Sequence, residues 1–74
     1  MLYKAFLQSN NPNIMSRWIK RGSDGLVAAS IYTNTESYAD FLTPSEIDQL
    51  RKDLDISNNS DYSLKLFSPS ELTF

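Results

Sequence analysis

Residues 43–54 read TPSEIDQLRKDL, and this stretch decides the fold class of the 74-residue chain. Thr43-Pro44-Ser45-Glu46 has the spacing of a capping box, in which the threonine hydroxyl accepts from the N3 amide and the glutamate reaches back to the cap. Proline suits the first helical position, because the N–H that it lacks would have no partner there. A single apolar stripe follows, formed by Ile47, Leu50 and Leu54. The pattern predicts a helix from Pro44 to Leu54.

A second helix is predicted earlier in the chain, over residues 12–21. Asn11-Pro12 repeats the order of cap and proline, and Gly22 can end the helix in the left-handed conformation. At about 100° per residue, the apolar side chains fall within an arc of about 140°. They are Ile14, Met15, Trp18 and Ile19. The rival interpretation is an edge strand followed by a turn at residues 21–25.

Three segments predict β-strands. Leu2 to Gln8 is apolar on both faces, which suits a central strand. Leu26 to Thr33 is rich in β-branched and small residues, and Tyr62 to Phe67 alternates as in a sheet with one wet face. Residues 38–42 fit a short helix or an edge strand. Residues 68–74 are predicted to form a short C-terminal turn or tail.

These elements predict a small α+β fold, with residues 1–74 as a single domain. The sheet has three or four strands, two short helices accompany it, and the element order is β-α-β-α-β. The alternative is a mostly antiparallel β meander with one helix at residues 44–54.

Composition excludes most enzyme chemistry. The chain contains no cysteine and no histidine, so it lacks thiol nucleophiles, imidazole bases and the usual ligands of transition metals. We therefore expect no catalytic residue, no metal site and no cofactor, and we predict that the protein is not an enzyme. The longest apolar run, residues 26–29, is far shorter than a membrane span of roughly 20 residues. A cytoplasmic protein without a membrane partner is expected.

The charges are unevenly distributed along this acidic chain. Residues 1–35 carry four basic side chains and one acidic, whereas residues 36–74 carry three basic and eight acidic. Such asymmetry can indicate an interaction surface. The basic candidate is a cluster formed by Arg17, Trp18, Lys20 and Arg21. The acidic candidate is a set on the predicted helix and the following loop, formed by Asp48, Asp53, Asp55 and Asp61.

Elimination leaves binding as the predicted function. The size and charge are typical of phage and mobile-element inhibitors, so we predict a non-enzymatic protein-interaction module that binds and occludes a larger host protein or nucleoprotein complex. The alternative is a small nucleic-acid-binding protein that uses the basic cluster. Three phosphate contacts would give a salt slope of only about −2.7, which makes direct nucleic-acid binding the less favoured hypothesis. The chain is expected to be a monomer or a homodimer.

Overall fold

The fold is one antiparallel sheet with an α-helix packed on one face. The computed structural model describes residues 1–25 and 27–72, without the side chains of residues 27–33, 71 and 72. The elements are β1 (Lys4–Ser9), β2 (Arg17–Arg21), β3 (Val27–Thr33), a 3-10 helix (Glu36–Tyr38), α1 (Pro44–Leu54), β4 (Tyr62–Phe67) and a second 3-10 helix (Pro69–Leu72).

The four strands lie in the order β3-β2-β1-β4, and every neighbouring pair is antiparallel. β1 is an inner strand, as its two apolar faces predicted. Phe6 lies opposite Trp18 on one side of β1 and opposite Lys65 on the other. The α+β class is confirmed, and the antiparallel alternative with one helix at residues 44–54 describes this arrangement better than β-α-β-α-β.

The predicted helix over residues 12–21 is wrong, because this part of the chain forms a turn followed by β2. Asn11-Pro12 opens a β-turn, in which the Ile14 amide donates to the Asn11 carbonyl over 3.0 Å. The Asn11 side chain accepts from the Asn13 amide over 2.9 Å. Asparagine before proline is as much a turn signal as a helix cap, and here the turn prevails. The rival prediction of a strand is correct, although β2 is an inner strand and not an edge.

The helix predicted from Pro44 to Leu54 is confirmed with those boundaries. The Thr43 hydroxyl accepts from the Glu46 amide over 3.2 Å, and the Glu46 carboxylate accepts from the Thr43 amide over 2.9 Å. The capping box is therefore complete. The helix ends at Leu54, and its C-cap, Asp55, adopts the left-handed conformation with φ 50° and ψ 47°.

Tyr38 ends the first 3-10 helix, and residues 39–42 form neither a helix nor a full strand. The chain then runs extended to Leu42, which exchanges two backbone hydrogen bonds with Tyr3 over 2.7 and 3.0 Å. The Asp40 amide donates to the Ile19 carbonyl over 3.3 Å. This segment therefore lies between β1 and β2, where the two strands separate.

The core lies between α1 and one face of the sheet. Its buried members come from β1, β2, the extended segment and α1, and they are Ala5, Leu7, Ile19, Leu42, Ile47 and Leu50. The C-terminal turn predicted at residue 68 begins as the second 3-10 helix. The predictions for Leu26, Thr73 and Phe74 lie outside the described residues.

Candidate binding surface on the open face of the sheet

The two faces of the sheet differ in what covers them. Ala5, Leu7 and Ile19 point toward α1, where they are buried. Successive side chains of a strand point to opposite faces, so Phe6 and Trp18 lie on the other face. Because α1 packs against the first face, the helix does not cover this second one. We call the second face, opposite α1, the open face.

Three aromatic rings form a continuous row across the open face. The centroids of Phe6 and Trp18 are 4.8 Å apart with an interplanar angle of 54°. Those of Trp18 and Phe67 are 5.3 Å apart at 50°. Tilted pairs at these separations are favourable because the edge of one ring meets the face of the next. The aromatic row, consisting of Phe6, Trp18 and Phe67, thus joins β2, β1 and β4 into one half-buried apolar patch.

Lysines accompany the aromatic row. Lys4, Lys20 and Lys65 belong to the same alternating set as the three rings, and the described side chains of β1, β2 and β4 place no carboxylate on this face. Lys20 and Lys65 are exposed. An apolar centre with cations around it has the composition of a protein contact surface, in which aromatic anchors are surrounded by a polar rim.

Lys4 has a structural role at one end of the open face. Its Nζ donates to Glu36 Oε1 over 2.7 Å and to the Glu36 carbonyl over 3.1 Å. It also lies 5.0 Å from the centroid of Phe41, a cation–π distance. Only 12% of the Lys4 side chain is exposed. Lys20 and Lys65 are therefore the cations that this face presents to a partner.

The predicted basic cluster is divided between the two faces. Trp18 and Lys20 lie on the open face, whereas Arg17 and Arg21 lie on the side of α1, because residues 17–21 form a strand. Arg21 donates from Nε and Nη2 to the two carboxylate oxygens of Glu46, both over 2.8 Å. A bidentate pair of this kind is charge-assisted and geometrically specific. Arg21 therefore attaches β2 to the helix.

Glu46 is the most electrostatically perturbed carboxylate among the described residues. The side-chain hydrogen bonds from Arg21 outweigh the desolvation of the group and, with the Thr43 amide, lower the pKa of Glu46 from 4.5 to about 2. The same hydrogen bonds raise the pKa of Arg21. Asp40 adds a carboxylate that accepts from the Arg21 amide over 2.7 Å. These groups hold elements together, and each already has a partner within the fold.

The predicted acidic set is not gathered into one patch by the contacts of the structure. Asp53 accepts from Gln49 over 2.8 Å along the helix, and Asp55 accepts from Asn58 over 2.9 Å at the helix end. Asp61 is partly buried, and its carbonyl accepts from the Asn10 amide over 2.7 Å. Asp48 is exposed on α1. The carboxylates of α1 are thus carried by the element that packs on the side away from the open face.

Sequence reasoning missed Phe6, Phe67 and Lys65 as members of a surface. The signal was present in the alternation of β1 and β4, because Phe6 lies on the second apolar face of β1, and Lys65 lies on the wet face of β4. The register that brings them beside Trp18 connects residues far apart in the chain. A local pattern does not contain that register.

The remaining chemistry of the described residues is sparse. No group of three or more acidic side chains in residues 1–25 and 27–72 is placed to hold a metal ion. No helix in those residues has both the length and the apolarity needed to cross a bilayer.

No protein-family model matches the chain, and neither the curated proteins nor the solved structures searched contain a match.

Proposed function

We propose that this protein is a non-enzymatic interaction module that docks the open face of its sheet onto a larger protein or nucleoprotein complex and occludes it. The observation that carries the proposal is the aromatic row with Lys20 and Lys65 beside it. The small size and acidic charge suit an inhibitor encoded by a phage or mobile element. Such a protein would act in the cytoplasm.

The energetics of the aromatic row suit a contact surface. Binding energy concentrates in a few buried aromatic and arginine side chains, which cost about 2 kcal/mol or more when truncated. Trp18 is the only tryptophan and lies in the middle of the row, in contact with both phenylalanines. A partner that covers the row would remove the remaining exposed ring surface from water. Trp18 is therefore the expected hot spot.

The residues that the chain offers support the proposal of a role without catalysis. The sequence contains no imidazole or thiol. Arg21 engages Glu46 and Lys4 engages Glu36, both within the fold. A general acid or base needs a group of suitable pKa within reach of a substrate, and neither pair supplies one. We therefore expect docking and not turnover.

Comparative affinity capture tests the proposal. Tagged wild-type protein, Trp18→Ala and Lys52→Ala are incubated with lysate of the cells in which the chain is made. Lys52 is an exposed residue of α1, so its replacement is the matched control on the opposite side. We expect one stoichiometric partner with the wild type and the control, and at least a tenfold weaker capture with Trp18→Ala. Equal capture by all three proteins, with Trp18→Ala folded by circular dichroism, would exclude the open face as the contact surface.

Single-stranded nucleic acid is a second candidate ligand of the open face. The observation in its favour is that Trp18 and Lys20 stay together, beside two further rings and Lys65. Aromatic side chains flanked by cations provide stacking platforms for bases. Two exposed lysines would give a salt slope of only about −1.4 on a single strand, so the binding would depend mainly on stacking.

Trp18 fluorescence measures this second candidate directly. Titration with an oligothymidylate of about 15 nucleotides, within the range of known site sizes, should quench the emission if bases stack on the ring. Phe67→Ala should weaken the quenching, and Lys52→Ala should leave it unchanged. A constant emission at low salt excludes the single-stranded ligand and leaves the protein partner.

A further inference from the structure

The outer edge of β4 presents a second surface, independent of the open face. β4 is the last strand in the order β3-β2-β1-β4, and β1 is its neighbour on one side. In the described part of the chain, no strand lies on its other side. An edge strand exposes a row of backbone amides and carbonyls, which other strands can pair with.

The pairing of β1 with β4 identifies which backbone groups point outward. Ser9 lies opposite Tyr62, and the Asn10 amide donates to the Asp61 carbonyl. Asn10 and Asp61 are therefore a hydrogen-bonded pair, and in an antiparallel ladder such pairs alternate with pairs that exchange no hydrogen bonds. Ser63, Lys65 and Phe67 therefore direct their backbone groups toward β1. The outward residues of the edge are Tyr62, Leu64 and Leu66.

The outward residues also carry apolar side chains that the fold covers only in part. All three pack against the core cluster on the α1 side, and each remains partly exposed. The helix packs most closely against β3, at the opposite end of the sheet. A strand added beside β4 would pair the outward backbone groups and bury more of these side chains.

We propose that a second copy of this chain pairs with β4, antiparallel, about a twofold axis that passes beside Leu64. In this register Leu64 lies opposite Leu64 of the partner subunit, and Tyr62 lies opposite Leu66 of the partner subunit. All three outward residues are then in hydrogen-bonded pairs on both copies. The two-fold makes the contact isologous, so it closes as a dimer.

The side chains on the other face of the strand agree with this register. Lys65 lies opposite Ser63 of the partner subunit, so the two lysines do not face each other. If the twofold axis instead passed beside Lys65, the Lys65 side chains of the two copies would lie directly opposite each other. Two like charges in that position repel each other, so this register is unfavourable. The strand is thus self-complementary in the register in which Tyr62, Leu64 and Leu66 all form backbone hydrogen bonds with the second copy. The two sheets would join into one, with their open faces side by side.

Charge substitutions at Ser63 test the dimer by sedimentation over a range of protein concentrations. Ser63 is exposed, and its hydroxyl accepts from Asn10 Nδ2 over 3.0 Å. Ser63→Ala removes that bond without adding charge and is the matched control. In Ser63→Lys, the new lysine of each copy lies opposite Lys65 of the partner subunit, so the dimer contains two pairs of like charges. We expect Ser63→Lys to weaken dimerisation about tenfold relative to Ser63→Ala.

The double variant Ser63→Lys with Lys65→Glu restores opposite charges across the axis, and we expect it to recover dimerisation at least to the level of Ser63→Ala. Recovery excludes a mere folding defect in Ser63→Lys. A wild-type chain that stays monomeric at millimolar concentration would overturn the proposal, as it would leave the edge open to another occupant. The proposal would also be overturned if Ser63→Ala, Ser63→Lys and the double variant all dimerised as strongly as the wild type, because the interface would then lie elsewhere.

Discussion

At the scale of single residues, Glu46 joins the helix to the sheet. One carboxylate accepts from the guanidinium of Arg21 on β2 and from the amide of Thr43 at the cap of α1. Its pKa is about 2 in the folded protein and near 4.5 without these contacts. A carboxylate with a lowered pKa stabilises the fold above its unfolded value, and the contribution disappears as the pH falls through its folded value. The free energy of unfolding should therefore decline between about pH 4.5 and pH 2.

Glu46→Gln removes the charge of this side chain and one of its hydrogen bonds with Arg21. Glutamine keeps the capping box, since its side-chain oxygen can accept from the cap amide, but its amide nitrogen cannot accept from Arg21 Nε, so the charged bidentate pair is lost. We expect a loss of about 0.5–1 kcal/mol at neutral pH, since solvent screening keeps the contribution of a partly exposed pair small, and a smaller decline between pH 4.5 and 2 than in the wild type. Urea unfolding at several pH values measures both. A variant with the same decline as the wild type would assign the acid sensitivity to other groups.

At the scale of elements, the sequence predicts those whose signals are local. The helix from Pro44 to Leu54 is confirmed because its cap, proline and stripe lie within twelve successive residues. β2 was not predicted in this way, because its adjacent apolar residues Trp18 and Ile19 pack on opposite faces of the sheet. Two adjacent apolar residues look like part of a helical stripe until the strand's neighbours are known. The candidate surface depends on the same long-range register, so only its separate members could be inferred.

A turn at residues 22–25 follows β2, which pairs with the next strand, β3, in antiparallel orientation. The Gly25 amide donates to the Gly22 carbonyl over 3.0 Å, and Gly25 has φ 85°. An added Cβ would meet nothing within 4 Å, so the cost of a side chain there is purely conformational. We expect Gly25→Ala to lower the free energy of unfolding by about 1 kcal/mol.

Gly25→Asn is the informative comparison, because asparagine tolerates positive φ better than alanine. In thermal unfolding, we expect the wild type to have the highest melting temperature, Gly25→Asn a lower one and Gly25→Ala the lowest. The opposite order of the two variants would show that the turn does not depend on a left-handed residue at position 25.

At the scale of the whole molecule, the two faces of the sheet have different energetic roles. The helix side contains the buried cluster, and Leu50 is fully buried within it. Leu50→Ala should cost about 2–5 kcal/mol. A chain of this length has a total stability of roughly 4–11 kcal/mol, so we expect the variant to lose a large part of that stability and to unfold at a clearly lower urea concentration than the wild type. Leu54→Ala, at a partly buried position of the same helix, should cost less.

Trp18→Ala probes the other face and decides what the aromatic row is for. Trp18 keeps part of its surface exposed and is not a member of the buried cluster on the α1 side, so we expect a smaller loss than for Leu50→Ala and cooperative unfolding in urea. If instead the two losses are equal, the row is a second core whose purpose is folding, and weaker partner capture by Trp18→Ala would report stability and not contact. The ratio of the two losses therefore determines whether the open face is free to act as a binding surface.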